Sequence, residues 1–181
     1  MGRIDDRLTP VTPNEVFLAL QGAWQKELHE TPHRTSLLVL LSQWALETGR
    51  GRSMHCYNLG NVKSGGQSGD WCFFRCNEII KGKVVWFDPD APECRFRAFA
   101  TLDDGALDYL RTLYQRFKRA WPAVQAGDPA AFSHSLRLQN YYTADEGQYT
   151  RTLVSLFNEF SRSIPVQGQP APAPLPDLYS T

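Results

Sequence analysis

Glu47 is the residue of this chain best placed to do acid chemistry. It follows an unbroken apolar run, Leu37–Leu41, and stands just before Thr48-Gly49 and a loop rich in glycine and asparagine. On a helix Leu40, Trp44 and Glu47 fall on one face, because the step from 40 to 47 is almost two full turns. A carboxyl on an apolar face is partly desolvated, which disfavours its anion and raises its pKa. The negative end of the helix dipole pushes the same way. An acid that keeps its proton near neutral pH can act as a general acid. The structural alternative is that Glu47 reaches solvent from the last turn, or pairs with Arg50 or Arg52.

The other reactive side chains are cysteines, at positions 56, 72, 76 and 94. They admit one or two disulfides, free thiols, or a zinc site to which His55 adds a ligand. The spacing Cys72-x-x-x-Cys76 is not that of a zinc knuckle, so at least one disulfide is expected, with no metal and no cofactor. A cysteine hydrolase would need Cys56 or Cys72 with His134, but no orienting motif stands beside either thiol.

Several elements must position these groups. Thr12-Pro13-Asn14-Glu15 is a capping box opening a helix to about Glu30, and Thr31-Pro32 starts a second that stops at Thr48-Gly49. The segments "WCFFRCNEII" and "KVVWF" predict a β-hairpin, to which "CRFRAF" adds a third strand. Helices resume from Thr101 through "TLDDGALDYLRTLYQRFKRAW", from Asp128-Pro129 to Leu138, and from Thr143 to about Arg162. The expected architecture is α+β: a mostly helical domain over residues 1–163, a small β lobe flanking a cleft, and a Pro-rich tail over 164–181.

The motifs resemble the glucosaminidase group, glycoside hydrolase family 73, of the lysozyme-like superfamily. Ala45-Leu46-Glu47-Thr48-Gly49 is similar to that family's Ala-Leu-Glu-Ser-Gly helix end. Asn58-Leu59-Gly60-Asn61-Val62-Lys63 is similar to its Asn-Leu-Phe-Gly-Ile-Lys segment. Glu78 falls on the glutamate of the family's Thr-x-Glu strand, with Cys76 in place of the threonine, and "CRFRAF" resembles its Phe-Arg-x-Phe strand. Tyr141-Tyr142-Thr143-Ala144-Asp145 resembles Gly-Tyr-Ala-Thr-Asp, with Tyr142 and Asp145 on the tyrosine and the aspartate. The resemblance implies a lysozyme-like fold and hydrolysis of peptidoglycan glycan strands, as an N-acetylglucosaminidase or a muramidase. Glu47 is then the catalytic acid, Glu78 the second catalytic group, and Tyr142 a residue that positions the N-acetyl group or stabilises positive charge. Asp70, Asp88 and Asp90 are the alternatives to Glu78. Tyr57, Asn58, Trp71, Phe73 and Asp145 are expected to bind substrate.

Composition narrows the partners. Lys and Arg number 19 and so do Asp and Glu, so no basic field favours nucleic acid or an anionic membrane. Aromatic residues make up 12% of the 181 residues, enough to line a sugar groove. The start "MGRIDDRLTPVTPNE" lacks the apolar run of a secretory signal. The expectation is therefore a protein secreted or delivered to the periplasm without a cleaved signal, as an antibacterial toxin or a phage lysin. A toxin would also have a cognate immunity protein docking in the cleft. The contrasting class is a peptidoglycan-binding or assembly module without activity.

Overall fold

At the centre of the molecule lies a helix with no solvent face. The structure, a computed structural model, describes residues 2–65, 69–80, 83–88 and 91–165, the side chains of 77–80 excepted. In α2 (Arg34–Glu47) every residue from Ser36 to Ala45 is buried. A helix covered on all sides must satisfy its polar groups internally. Ser42 Oγ donates to the carbonyl of Leu38 (2.6 Å). Tyr109 Oη donates to Gln43 Oε1 (2.6 Å) and lies 3.0 Å from the carbonyl of Leu40.

The helices around α2 are α1 (Pro13–Leu28), α3 (Leu102–Arg111), α4 (Trp121–Ala126), α5 (Pro129–Leu138) and α6 (Glu146–Ser163). α1, α4 and α6 pack on α2, α3 packs on α1, and α5 on α6. The capping box of α1 forms as read: Thr12 Oγ1 accepts from the Glu15 amide, and Glu15 Oε2 accepts from the Thr12 amide (2.7 Å). α5 is capped by Asp128, whose Oδ1 accepts from the amides of Ala130 and Ala131. Ile164 is buried in the helical core, and its carbonyl accepts from Arg34 Nη2 (2.8 Å). Residues 166–181, most of the expected tail, lie outside the described residues.

Four features differ from the sequence expectation. "WCFFRCNEII" is two strands, β1 (Trp71–Phe73) and β2 (Asn77–Ile80), rather than one. β2 pairs with β3 (Lys83–Trp86) as the hairpin, Glu78 opposite Val85, while β4 (Arg95–Arg97) pairs antiparallel with β1. The third strand therefore joins a separate ladder, to which the N-terminal segment adds a bridge from Arg3 to Trp71. The long helix expected from Thr101 is broken: α3 gives way to a π-helical turn, Thr112–Arg116, and a short 3₁₀ turn before α4. The last helix starts at Glu146, because Asp145 caps it by accepting from the Gln148 amide (2.8 Å).

The β lobe is tied to the helices at two points. Arg97 Nη1 bonds both carboxylate oxygens of Asp108 (2.8 and 2.9 Å), joining β4 to α3. Gly105 lets α3 approach the loop before the lobe so closely that a Cβ would stand 2.0 Å from the carbonyl oxygen of Tyr57. Alanine normally stabilises a helix by about 1 kcal/mol relative to glycine. Here Gly105→Ala is expected to destabilise instead, by at least about 2 kcal/mol, through overpacking. A melt of the variant at or above the wild-type temperature would refute this close approach.

Candidate active site

Glu47 is the last residue of α2. Thr48 ends the helix, its hydroxyl donating back to the carbonyl of Trp44 (2.7 Å), and Gly49 takes the left-handed conformation (φ 56°). The chain then folds back so that Arg50 turns away and binds Glu159 through both guanidinium nitrogens (2.6 and 2.7 Å). Arg52 bonds the carbonyl of Gly49. Neither arginine neutralises Glu47. The carboxyl instead turns inward, where Glu47 Oε1 accepts from Tyr149 Oη (2.9 Å). Burial pushes the Glu47 pKa up to about 7 from 4.5, and the Tyr149 hydrogen bond opposes the rise only in part.

Beside Glu47 opens a cleft of about 320 Å³, lined by Gly60–Lys63, Thr112, Arg116, Phe117, Asn140 and Tyr141. One wall is the loop after residue 57. Asn58, fully buried, holds that loop in shape: its Nδ2 donates to the carbonyls of Val62 (2.9 Å) and Arg97 (3.0 Å), and its Oδ1 accepts from the Val62 amide (2.8 Å). Asn61 then reaches back, donating from Nδ2 to the carbonyl of Glu47 (2.8 Å). The opposite wall comes from the π turn and from Tyr141.

The sequence-predicted residues separate into those on this cleft and those beneath or beyond it. Glu47 lines it. Tyr142 is buried under it: its ring stacks on Tyr149 (3.7 Å between centroids), and its hydroxyl lies 3.1 Å from Ser133 Oγ. Its neighbour Tyr141 is the tyrosine on the cleft wall. Burial and the nearby Glu47 carboxyl hold the Tyr141 hydroxyl well above its usual pKa, so it stays protonated as a donor. Asn58 and Asp145 serve as a loop clamp and a helix cap. Tyr57 is half-buried with Arg7 over its ring. Trp71 and Phe73 sit on β1, where Arg95 covers Trp71 (3.8 Å) and Arg3 covers Phe73 (5.0 Å). The side chain of Glu78 and the whole of Asp90 lie outside the described residues; Asp88 is exposed, and Asp70 Oδ1 accepts from the Gly2 amide. Tyr149, Asn61, Tyr141 and Arg116 were not singled out by sequence. Tyr149 leads the apolar stripe of α6, which reads as core and conceals the bond to Glu47.

The cysteines stand as thiols in two juxtaposed pairs. Cys76 Sγ is 2.8 Å from Cys94 Sγ, and Cys56 and Cys72 Sγ lie within 4.8 Å of each other and of an Asp6 carboxylate oxygen. Asp6 in turn holds His55 Nδ1 (2.6 Å). Burial, then Cys56 and Asp6, push the Cys72 thiol far up, the opposite of an activated nucleophile. His134 is exposed and bound to Glu146 (2.7 Å).

No known family model matches this chain, and no curated protein does. Solved structures do. A peptidoglycan hydrolase mutant from Sphingomonas sp. A1 superposes with a TM-score of 0.58 at 23% identity, over 80% of this chain and 92% of that one. The chain therefore shares the fold of that solved structure. The glycoside hydrolase domain of Salmonella typhimurium FlgJ shares it, with a TM-score of 0.55 at 20% identity over 83% of this chain and 89% of that one.

The raised pKa of Glu47 is also a statement about stability. The folded protein holds a proton near pH 6 that the unfolded chain releases, so stability falls as pH rises from about 4.5 through about 7. Above that window the buried anion costs about 2 kcal/mol, allowing for the solvent that reaches a half-buried side chain. Glu47→Gln is therefore expected to be more stable than wild type at pH 8, with the difference vanishing near pH 4. Denaturant unfolding at the two pH values checks this, and an equal gain at both would contradict the desolvated acid.

Proposed function

We propose that this protein is a glycosidase that cuts the glycan strands of peptidoglycan, as an N-acetylglucosaminidase or a muramidase, with Glu47 as its general acid. The observation that carries the reading is a carboxyl, protonated up to about pH 7, at the edge of an open cleft. In such a reaction Glu47 gives its proton to the glycosidic oxygen as the C–O bond breaks, and positive charge develops on the sugar ring. The fold shared with a peptidoglycan hydrolase supports the choice of polymer.

The developing charge needs a partner. Among the described residues, Glu47 is the one carboxylate on the cleft. The second group is then Glu78, on β2, or the substrate's own acetamido group. Tyr141, hydroxyl protonated, stands where it could orient that acetamido group. The buried thiols and the His134–Glu146 pair speak against a cysteine hydrolase.

Turbidity loss of purified cell walls tests the reading. Glu47→Gln should lower the rate by roughly 10²–10⁴-fold with the fold intact. A rate within a few-fold of wild type would sink Glu47 as the acid. Product masses then separate cleavage after glucosamine from cleavage after muramic acid.

We further propose that the enzyme works in an oxidising compartment such as the periplasm, and that as a toxin it is held in check by an inhibitor seated in the cleft. The cysteine pairs support the compartment. Exchange with a low-molecular-mass disulfide would convert each dithiol to a disulfide, releasing the oxidant as two thiols. Cys76–Cys94 would close the segment carrying the hairpin, and Cys56–Cys72 would fasten β1 to the loop before it. Protein made under oxidising conditions and denatured without reductant should contain a Cys76–Cys94 linked peptide. Four titratable thiols would overturn the pairing, as would stoichiometric zinc bound at Cys56 and Cys72.

A further inference from the structure

We propose that Arg116 is a specificity residue that receives a carboxylate of the substrate on the cleft wall; the assignment rests on the glycosidase reading and deepens it. The charged residues lining the cleft are Glu47, Lys63 and Arg116. While Glu47 holds its proton, the cleft is therefore cationic. A neutral sugar polymer gains nothing from that charge. A strand bearing muramic acid does, because its lactyl group or its stem peptide carries carboxylates.

Three observations single out Arg116. Its exposed guanidinium has no carboxylate within ion-pair distance among the described residues and lies 5.5 Å from the centre of the Phe117 ring. By contrast, Arg50 is paired with Glu159, Arg97 with Asp108 and Arg111 with Glu27. Second, Arg116 closes the π-helical turn that interrupts the long helix, a wide turn of the kind that recurs at functional sites. That turn brings Arg116 and Phe117 to the cleft. Third, Arg116 does not serve the acid. The rise in the Glu47 pKa comes from burial and is opposed by Tyr149, whereas the charge of Arg116 is felt by Tyr141. A cation in the same cleft that neither pairs with the acid nor tunes it is free for an anion beside the scissile bond. The planar fork of arginine suits a carboxylate, which can accept two parallel hydrogen bonds.

The test compares kcat/KM on three substrates: peptide-bearing glycan strands, the same strands after amidase treatment has exposed the lactyl carboxylate, and neutral N-acetylglucosamine oligomers. For Arg116→Gln the ratio of anionic to neutral substrate should fall about tenfold, the loss of one charge-assisted contact at an exposed site. Arg116→Lys should retain part of it, and Arg119→Gln, exposed but off the cleft, should leave the ratio unchanged. A fall with peptide-bearing strands alone assigns the stem-peptide carboxylate, a fall with amidase-treated strands alone assigns the lactyl carboxylate, and a fall with both shows that Arg116 receives either. An unchanged ratio, or an equal loss on the neutral oligomer, overturns the proposal. Co-sedimentation of Glu47→Gln with peptide-bearing strands, with and without Arg116→Gln, reads the contact without turnover. Wild-type protein that cleaves no strand would defeat the glycosidase reading, while equal binding by the two variants would defeat Arg116 by itself.

Discussion

The desolvation of one carboxyl, at the point where a fully buried helix meets solvent, organises this molecule. α2 is covered on every side by helices, so its last turn emerges from an apolar interior with almost no polar surroundings. A residue one turn earlier would be sealed in, and one a few positions later would be bathed in water. Glu47 falls between, half-buried, with its carboxyl turned toward Tyr149. That position raises its pKa without closing it off from a ligand. The interaction is unfavourable for the anion, and the packing of α2 sustains it. The apolar run that reads as core in the sequence is thus the cause of the raised pKa at its end.

A recessed acid is of use only if a cavity meets it, and one side of that cavity is a loop with little core of its own. Asn58 replaces the missing core with three hydrogen bonds, and Asn61 adds a fourth to the helix end itself. The loop is tied to the helix end through the backbone carbonyl of Glu47. The Arg97–Asp108 pair and the approach of α3 at Gly105 then fix the β lobe to the helical frame. Polar contacts organise this half of the site because the sequence between residues 49 and 70 offers little apolar surface to do so.

The large features were legible in the sequence because each rests on local chemistry. The capping box at Thr12, the Asp128 cap and the apolar run before Glu47 all announce themselves within a few residues. The strand pairing did not. Whether β4 joins β3 or β1 depends on contacts distant in the chain, and an alternating apolar pattern is the same in either case. The π turn is equally silent, since "TLYQRF" keeps the helical spacing that an unbroken helix would need. At the site, the family-like stretch pointed to Tyr142 and Asn58, and the structure puts their near neighbours Tyr141 and Asn61 on the cleft. Motif likeness located the segment. A rotation of one or a few residues about the backbone, invisible in a string of letters, decides which side chain faces the cavity and which faces the core.

The buried members of those pairs still bear on the acid. Tyr142 lies flat against Tyr149, their planes 6° apart, and is itself anchored to Ser133. Tyr149 cannot rotate without breaking that stack, so its hydroxyl is delivered to Glu47 in one geometry. A single donor there satisfies the carboxyl in either protonation state. Two or three would stabilise the anion and pull the pKa back toward that of an ordinary glutamate. The site therefore combines heavy desolvation with one rigidly held hydrogen bond, and that balance places the acid's pKa at about 7. An apolar pocket alone would raise it further and leave the carboxyl without orientation. A polar pocket would orient it and surrender its proton.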